Sequence, residues 1–247
     1  MKTITSQKQP MINIYIARHG QDVDNSNGIL NGHRNEPLTE LGRRQAEDVG
    51  KQMLQEGFCL LPNSQTTSSS TPSAKKTIRA IYSSPLQRAH ETAKIFAKIL
   101  STDASNEQSN TVQILDDLIE RDFGIMTGMP ISSILEKCGQ DHVLSIDTIN
   151  YFLDPENAET FPDLIARGKK LLTYIDTEIC GNGVNEDSSI LLVTHGDFGK
   201  MLYAAYYELD WKEVLKQFHF GNSEVLLLAN DSPPEKAHVF ETSQYNS

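Results

Sequence analysis

The sequence predicts a single α/β domain: three layers, with a mainly parallel sheet flanked by helices on both faces. Three observations predict it. Short runs of β-branched and aromatic residues recur along the whole chain of 247 residues, and segments with helical apolar spacing separate them. The runs Ile12 to Ile16 and Ser189 to Thr194 are close to continuously apolar, which suits strands buried on both faces. No internal repeat or linker divides the chain, so the domain is expected to span residues 1–247.

The elements follow in order. The first strand, Ile12 to Ile16, runs into Arg18-His19-Gly20. Gln21 to Pro37 is polar and rich in Asn, Asp and Gly, and reads as a long loop over the strand ends. Thr39 is the N-cap of a helix with Leu41, Ala46, Val49, Met53 and Leu54 as apolar face and Gly57 as stop. Leu61 to Lys76 is a Ser/Thr/Pro-rich surface insertion. A second strand, Ile78 to Tyr82, leads through Ser83-Ser84-Pro85 into a helix reaching Leu100, with Pro85 in its first turn.

Residues 101–110 form a second polar insertion, and Val112 to Leu115 a third strand. Asp116 to Gly124 is a charge-dense loop, which on its own reads as a solvated face. Between Ile131 and Phe161 the pattern supports a short helix or two. Asp163 to Ile179 is an amphipathic helix stopped by Gly181. The strand Ser189 to Thr194 ends in His195-Gly196, and helices follow from Phe198 and from Trp211. Glu224 to Leu228 is the last strand of the core. The tail from about residue 230 is polar, with Ala237 to Phe240 placed to pair at a sheet edge.

Composition narrows the function. Hydrophobic content of 38% and charged content of 22% are those of a globular protein, and no apolar run is long enough to span a bilayer. The polar start carries no secretory signal, and three scattered cysteines form no CxxC pair, so a cytoplasmic setting is expected and a zinc or disulfide framework is not. The histidines lack HxH or HxxxH spacing, so no metal site is expected. A net charge of −11 argues against nucleic acid as partner and requires any anionic ligand to be drawn by a local basic pocket.

Such a pocket is what the motifs supply. Arg18-His19, Arg88, Glu120 and His195 each fall just past the carboxyl end of an expected strand, where open α/β sheets bind ligands. Arg-His-Gly alone is an ordinary loop tripeptide. Together, two arginines and a histidine cradle a phosphoryl group, because guanidinium forks match its oxygens and stay charged. Arg88 sits in the first turn of a helix, where the dipole disfavours it, which points to an anion nearby.

Four blocks carry a resemblance: Arg18-His19-Gly20, Ser84-Pro85-Leu86-Gln87-Arg88-Ala89, Glu120-Arg121-Asp122-Phe123-Gly124 and Thr194-His195-Gly196. In this order they resemble the hallmarks of the histidine phosphatase superfamily, the phosphoglycerate mutase-like fold. Weaker agreements are Pro37 to Gly42, Glu159-Thr160-Phe161 with Arg167, and Asn222-Ser223.

The resemblance implies a phosphoryl transfer that needs no cofactor. His19 attacks phosphorus, Arg18, Arg88 and His195 neutralise charge on the phosphoryl oxygens, and Glu120 serves as acid and then base. Asn25 matches a ligand-contacting position and Arg121 a substrate-side contact. Asn31, Gly32 and Gly196 are further candidates for phosphate or substrate binding. His33 and Arg34 are candidates for the rim, or plain surface residues. Neighbouring guanidiniums are expected to keep His19 neutral, and Glu120 to gain its working pKa only with substrate bound.

Within the resemblance, departures from cofactor-dependent mutases favour hydrolysis. A lysine of theirs falls at Ile131, no arginine lies between Gly128 and Glu159, and Asp197 replaces their asparagine. The expected activity is phosphomonoester hydrolysis on a small phosphorylated metabolite by a monomer or homodimer. The alternatives are a phosphoglycerate or bisphosphoglycerate mutase and a non-catalytic phospho-ligand scaffold.

Overall fold

A computed structural model describes residues 12–61, 76–101, 112–180 and 189–240. The two polar insertions, the stop at Gly181 and the last residues of the tail fall wholly or mostly outside these. The chain forms β1 (Asn13–Arg18), α1 (Val23–Ser26), α2 (Glu40–Gln55), β2 (Phe58–Leu60), β3 (Lys76–Ser83), α3 (Gln87–Leu100) and β4 (Val112–Ile114). It continues through α4 (Ile134–Cys138), β5 (Val143–Ile146), β6 (Ile149–Phe152), α5 (Phe161–Tyr174) and β7 (Ser189–Thr194). It ends in α6 (Gly196–Tyr206), α7 (Trp211–Gln217) and β8 (Val225–Leu228).

The central sheet has the order β2-β3-β7-β1-β8, with β4 paired beside β3. All its pairings are parallel except that of the edge strand β8 with β1. Strand alternation feeds two cores. Ile14 and Ile16 of β1 and Ile190 and Leu192 of β7 pack with Leu164 and Leu171 of α5 and Phe198, Met201 and Leu202 of α6. Tyr15, Ala17, Leu191 and Val193 pack on the other face with Ala46, Val49 and Met53 of α2 and Ala89, Ala93 and Phe96 of α3. The three-layer α/β expectation therefore holds.

This arrangement positions the site. The β1–β7 register sets Arg18 beside Thr194, so His19 and His195 leave adjacent strand ends side by side. The chain beyond β1 packs α2 on one face, whereas the chain beyond β7 packs α6 on the other. Diverging connections open a crevice at the carboxyl ends of the two strands.

Several details differ from the sequence expectations. Leu41 and Leu54 are 42% and 49% exposed, so they flank the buried stripe of α2 instead of joining it. The segment before α5 holds an antiparallel hairpin, β5 with β6, which the helical reading of that region did not include. Pro85 precedes α3, whose N-cap is Leu86. The loop 21–37 contains the short α1, capped by Asp22. The edge pairing of the tail is present as a bridge of Leu226 with His238. No helix among the described residues is long and apolar enough to cross a membrane.

One close approach locks α2 to the turn after β1. A Cβ on Gly42 would collide with the Gln21 carbonyl, and one on Gly20 with the Gly42 carbonyl. Thr39, the N-cap whose hydroxyl accepts from Gly42 N at 3.0 Å, also donates to Gln21 Oε1 at 2.9 Å. Overpacking backbone against backbone has no side chain to yield. Gly42→Ala is therefore expected to lower stability by about 3 kcal/mol, and Leu41→Ala by less than about 1 kcal/mol, in urea unfolding. Equal effects would refute this packing.

Candidate active site

His19 is the first residue beyond β1 and is 2% exposed. Its backbone is held on both sides. Its N–H donates to Thr194 O at 3.0 Å, and its carbonyl accepts from Ser223 N at 3.2 Å and Asn222 Nδ2 at 3.1 Å. The ring is oriented equally firmly. Nδ1 lies 2.7 Å from Gly20 O, a group that can only accept, so Nδ1 carries the proton. Arg88 Nε donates to Nε2 at 3.2 Å. His19 is thus the neutral Nδ1–H tautomer with the Nε2 lone pair available. Burial first, then the charges of Arg88 and Arg18, push its pKa well below the usual histidine value.

Cationic and polar groups surround that lone pair. Arg88 is fully buried at the start of α3. Its Nη1 donates to Arg34 O at 2.7 Å and its Nη2 to Gly32 O at 2.8 Å, while Nε lies 3.1 Å from Asp22 Oδ2. Arg18 donates through Nη1 to Phe220 O at 2.6 Å. His195 packs edge-on against His19 with ring centroids 5.1 Å apart, and its Nε2 lies 2.8 Å from Ser84 Oγ. Burial, followed by Arg88, holds its pKa well below the usual value too.

Two buried nitrogens beside His19 lack any hydrogen-bond partner among the described residues: Arg18 Nε and His195 Nδ1. A buried polar atom left unpaired costs about 1–3 kcal/mol, so the two beside the His19 lone pair are groups that a bound ligand can satisfy.

Glu120 supplies the carboxyl group. It is 5% exposed. Oε1 accepts from Arg121 N at 2.9 Å and Phe198 N at 3.0 Å, and Oε2 from Asp197 N at 3.3 Å, at the N-terminus of α6. These donors and Arg88 favour the carboxylate. Burial, with the Asp197 charge second, outweighs them and raises the pKa. The direction of this shift is already the one a general acid needs, and a bound dianion would add to it. Arg167 fixes the Glu120 backbone. It donates to the carbonyls of Asp117 (2.9 Å), Ile119 (2.7 Å) and Glu120 (3.3 Å) and pairs with Glu159 at 2.9 Å.

The remaining candidates divide. Asn25 accepts through Oδ1 from Asn222 Nδ2 at 3.3 Å, tying the loop to the His19 support. Asn31 is buried and donates to Asp22 Oδ2 at 2.7 Å. Gly32 accepts from Arg88 through its carbonyl, which places it beside that buried cation. Gly196 leaves room for Arg18, whose guanidinium carbon would lie 3.4 Å from any Cβ there.

Arg121 is held from several sides. Its guanidinium lies between the rings of Phe152 and Phe161, 4.5 and 4.3 Å from their centroids. Nε donates to Glu159 O at 2.6 Å, Nη2 to Leu153 O at 3.1 Å, and Nη1 lies 3.7 Å from Asp197. Fully buried and so engaged, its guanidinium is tied to the framework around Glu120. At the rim, His33 contacts Glu120 O at 2.9 Å, and Arg34 pairs with Asp24 at 2.7 Å.

Sequence reasoning missed Asp22 and the part played by Ser84. Both stand in motifs dominated by turn and cap chemistry, which gives polar residues an ordinary explanation.

Comparison with known proteins gives the family and the fold. The family model of the histidine phosphatase superfamily (branch 1) matches residues 14–77 and 64–234. The chain belongs to this superfamily. It is 25% identical over 204 residues to a 2,3-bisphosphoglycerate-dependent phosphoglycerate mutase of Parvibaculum lavamentivorans, covering 82% of this chain and 83% of that protein. Its fold is similar to that of a mycobacterial glucosyl-3-phosphoglycerate phosphatase solved with VO3. The TM-score is 0.64 at 21% identity, over 95% of this chain and 99% of that one. A phosphoserine phosphatase of Entamoeba histolytica gives a TM-score of 0.61 at 19% identity, over 94% and 96%.

The depressed histidine pKa values carry a stability consequence. Each neutral, buried imidazole contributes stability that is present above the unfolded pKa of about 6.5 and lost as pH falls below it. For His195 the loss approaches about 1.4 kcal/mol per pH unit. His195→Gln is expected to lose less stability than wild type between neutral and mildly acid pH in urea titrations. Parallel losses would contradict a neutral His195.

Proposed function

We propose that the protein is a phosphomonoester hydrolase that acts through a phosphohistidine on His19 and passes the phosphoryl group to water. The observation that carries this reading is the His19 Nε2 lone pair, held by Arg88 and flanked by the unpartnered nitrogens of Arg18 and His195. A nucleophile and a set of donors awaiting tetrahedral oxygens meet at one point.

The chemistry follows in two steps. Nε2 attacks phosphorus in line as the ester P–O bond breaks, and the leaving oxygen takes the proton of the Glu120 carboxyl. The Glu120 carboxylate then takes a proton from water, whose oxygen attacks phosphorus while the P–Nε2 bond breaks. Phosphate leaves, His19 returns neutral and Glu120 protonated. Arg18, Arg88 and His195 bear the charge on the equatorial oxygens throughout. Burial has already raised the Glu120 pKa, which suits the first step.

Hydrolysis is favoured over mutase chemistry by the fate of Arg121. A mutase must grip the substrate's second anionic group while the phosphoryl group changes position. Arg121 is consumed by aromatic rings, carbonyls and Asp197, and Asp197 adds a negative charge on that side. The named phosphatases of similar fold act on small phosphorylated metabolites, and such a metabolite is the substrate class assigned here.

The test is phosphate release from a panel of sugar phosphates, phosphoglycerates and phosphoamino acids in the presence of a chelator, with trapping of acid-labile phosphohistidine. His19→Ala should abolish the label, and Glu120→Gln should lower kcat by about 10²–10⁴. Conversion of 3- to 2-phosphoglycerate with a bisphosphoglycerate cofactor, faster than phosphate release, would establish a mutase instead. Binding without label would establish a scaffold.

A further inference from the structure

The site contains a carboxylate that the two-step chemistry does not use. Asp22 is fully buried. Its Oδ1 accepts from Asn25 N at 2.7 Å, and its Oδ2 accepts from Asn31 Nδ2 at 2.7 Å and lies 3.1 Å from Arg88 Nε. The same Nε donates to the nucleophile at 3.2 Å. Asp22 and the nucleophilic nitrogen therefore share one N–H. A phosphoryl group arriving at Nε2 needs that donor and comes to rest beside an anion. Two anions sharing one site cannot both stay fully ionised, and the cheapest relief is a proton.

We propose that Asp22 is a phosphoryl-binding residue that acts as the neutral acid, so that a tetrahedral dianion enters the His19 site together with one proton, which Asp22 takes up. The protonated carboxyl then donates its O–H to a ligand oxygen. Arg88 Nε, released from Asp22, turns its charge on the ligand.

The surroundings favour uptake at this position. From β1, Arg18 faces Asp22, and His19 follows it. From α3, Arg88 faces it, and from its own loop Arg34, itself paired with Asp24. Glu120 lies across Arg88. Burial leads these influences and raises the Asp22 pKa, while Arg88, the two amide donors and Arg18 oppose the rise. Ligand binding draws Arg88 and Arg18 onto the phosphoryl oxygens and adds negative charge, which removes the opposition.

The inference rests on the phosphoryl-transfer reading of the site, and its test separates the two. Tungstate, a tetrahedral dianion whose own pKa lies below the working range, is titrated calorimetrically into the whole protein in buffers of different ionisation enthalpy. Wild type is expected to take up about one proton per anion and to lose about tenfold in affinity per pH unit on the alkaline side. Asp22→Asn should bind tungstate with little proton uptake and a flattened pH dependence, and Glu120→Gln should keep the uptake. Asp22→Ser serves the same purpose should the Asn variant fail to fold.

Tungstate that binds wild type without proton uptake overturns the proposal and leaves the phosphatase reading intact. So does uptake that survives in the Asp22 variants. Tungstate that does not bind at all overturns the phosphoryl site itself.

Discussion

The rest of the site depends on where one guanidinium hydrogen goes. Arg88 Nε–H points between His19 Nε2 and Asp22 Oδ2, and the other two nitrogens of the group are anchored on the carbonyls of Gly32 and Arg34. The loop 21–37 and the start of α3 are thereby assembled on one buried charge. Neither can shift without unpairing it, and an uncompensated buried charge costs about 3–5 kcal/mol. The same bond sets the chemistry, since a donor directed at Nε2 excludes a proton from that nitrogen. The stability of this corner and the tautomer of His19 have one origin.

Sheet topology explains why that interaction is possible. His19 N binds Thr194 O across the β1–β7 pair, and Ser84 N binds Val193 O across β3–β7, at 3.0 Å each. Three neighbouring strand ends thus deliver His19, His195 and Ser84 with main-chain precision. Ser84 then meets His195 Nε2 and also accepts from Leu86 N at 3.2 Å, so the entry to α3 and the second histidine are fixed by one hydroxyl. Loops contribute what strands cannot: Asp22, Glu120 and their supporting amides.

Much of this was legible because burial on both faces leaves a strong mark. Ser189 to Thr194 reads as a strand and is one, and β1 differs in starting one residue later, at Asn13, and running on through Arg18. The hairpin of β5 and β6 left a weaker mark. Each strand is four residues long, and its turn relies on Asp147 at a φ of 49°, which aspartate tolerates without advertising it. Polar residues were the hardest to place. A run such as Glu120-Arg121-Asp122 looks solvated, yet Arg121 is buried between two rings that stand 31 and 40 positions further along the sequence. Only the folded chain brings those rings to it.

That burial bears on the acid. Lys200 lies 3.3 Å and Arg121 3.7 Å from Asp197, and Asp197 in turn raises the Glu120 pKa while its own N–H donates to the Glu120 carboxyl. Beyond Glu120 stand Arg88 and Arg18, and beyond them Asp22. With Glu120 neutral, charge alternates through the site: Lys200 positive, Asp197 negative, Arg88 and Arg18 positive, Asp22 negative. Adding a dianion at the centre breaks the alternation, and each carboxyl group beside it must then be neutral or held by a cation. Lys200 and Arg121 hold Asp197, which leaves Glu120 and Asp22 as the groups that keep or gain a proton. On this account one buried acid is reserved for the leaving oxygen and the other for the phosphoryl group. The division follows from geometry: Glu120 sits against the backbone N–H groups that open α6, and Asp22 against the N–H that faces the nucleophile.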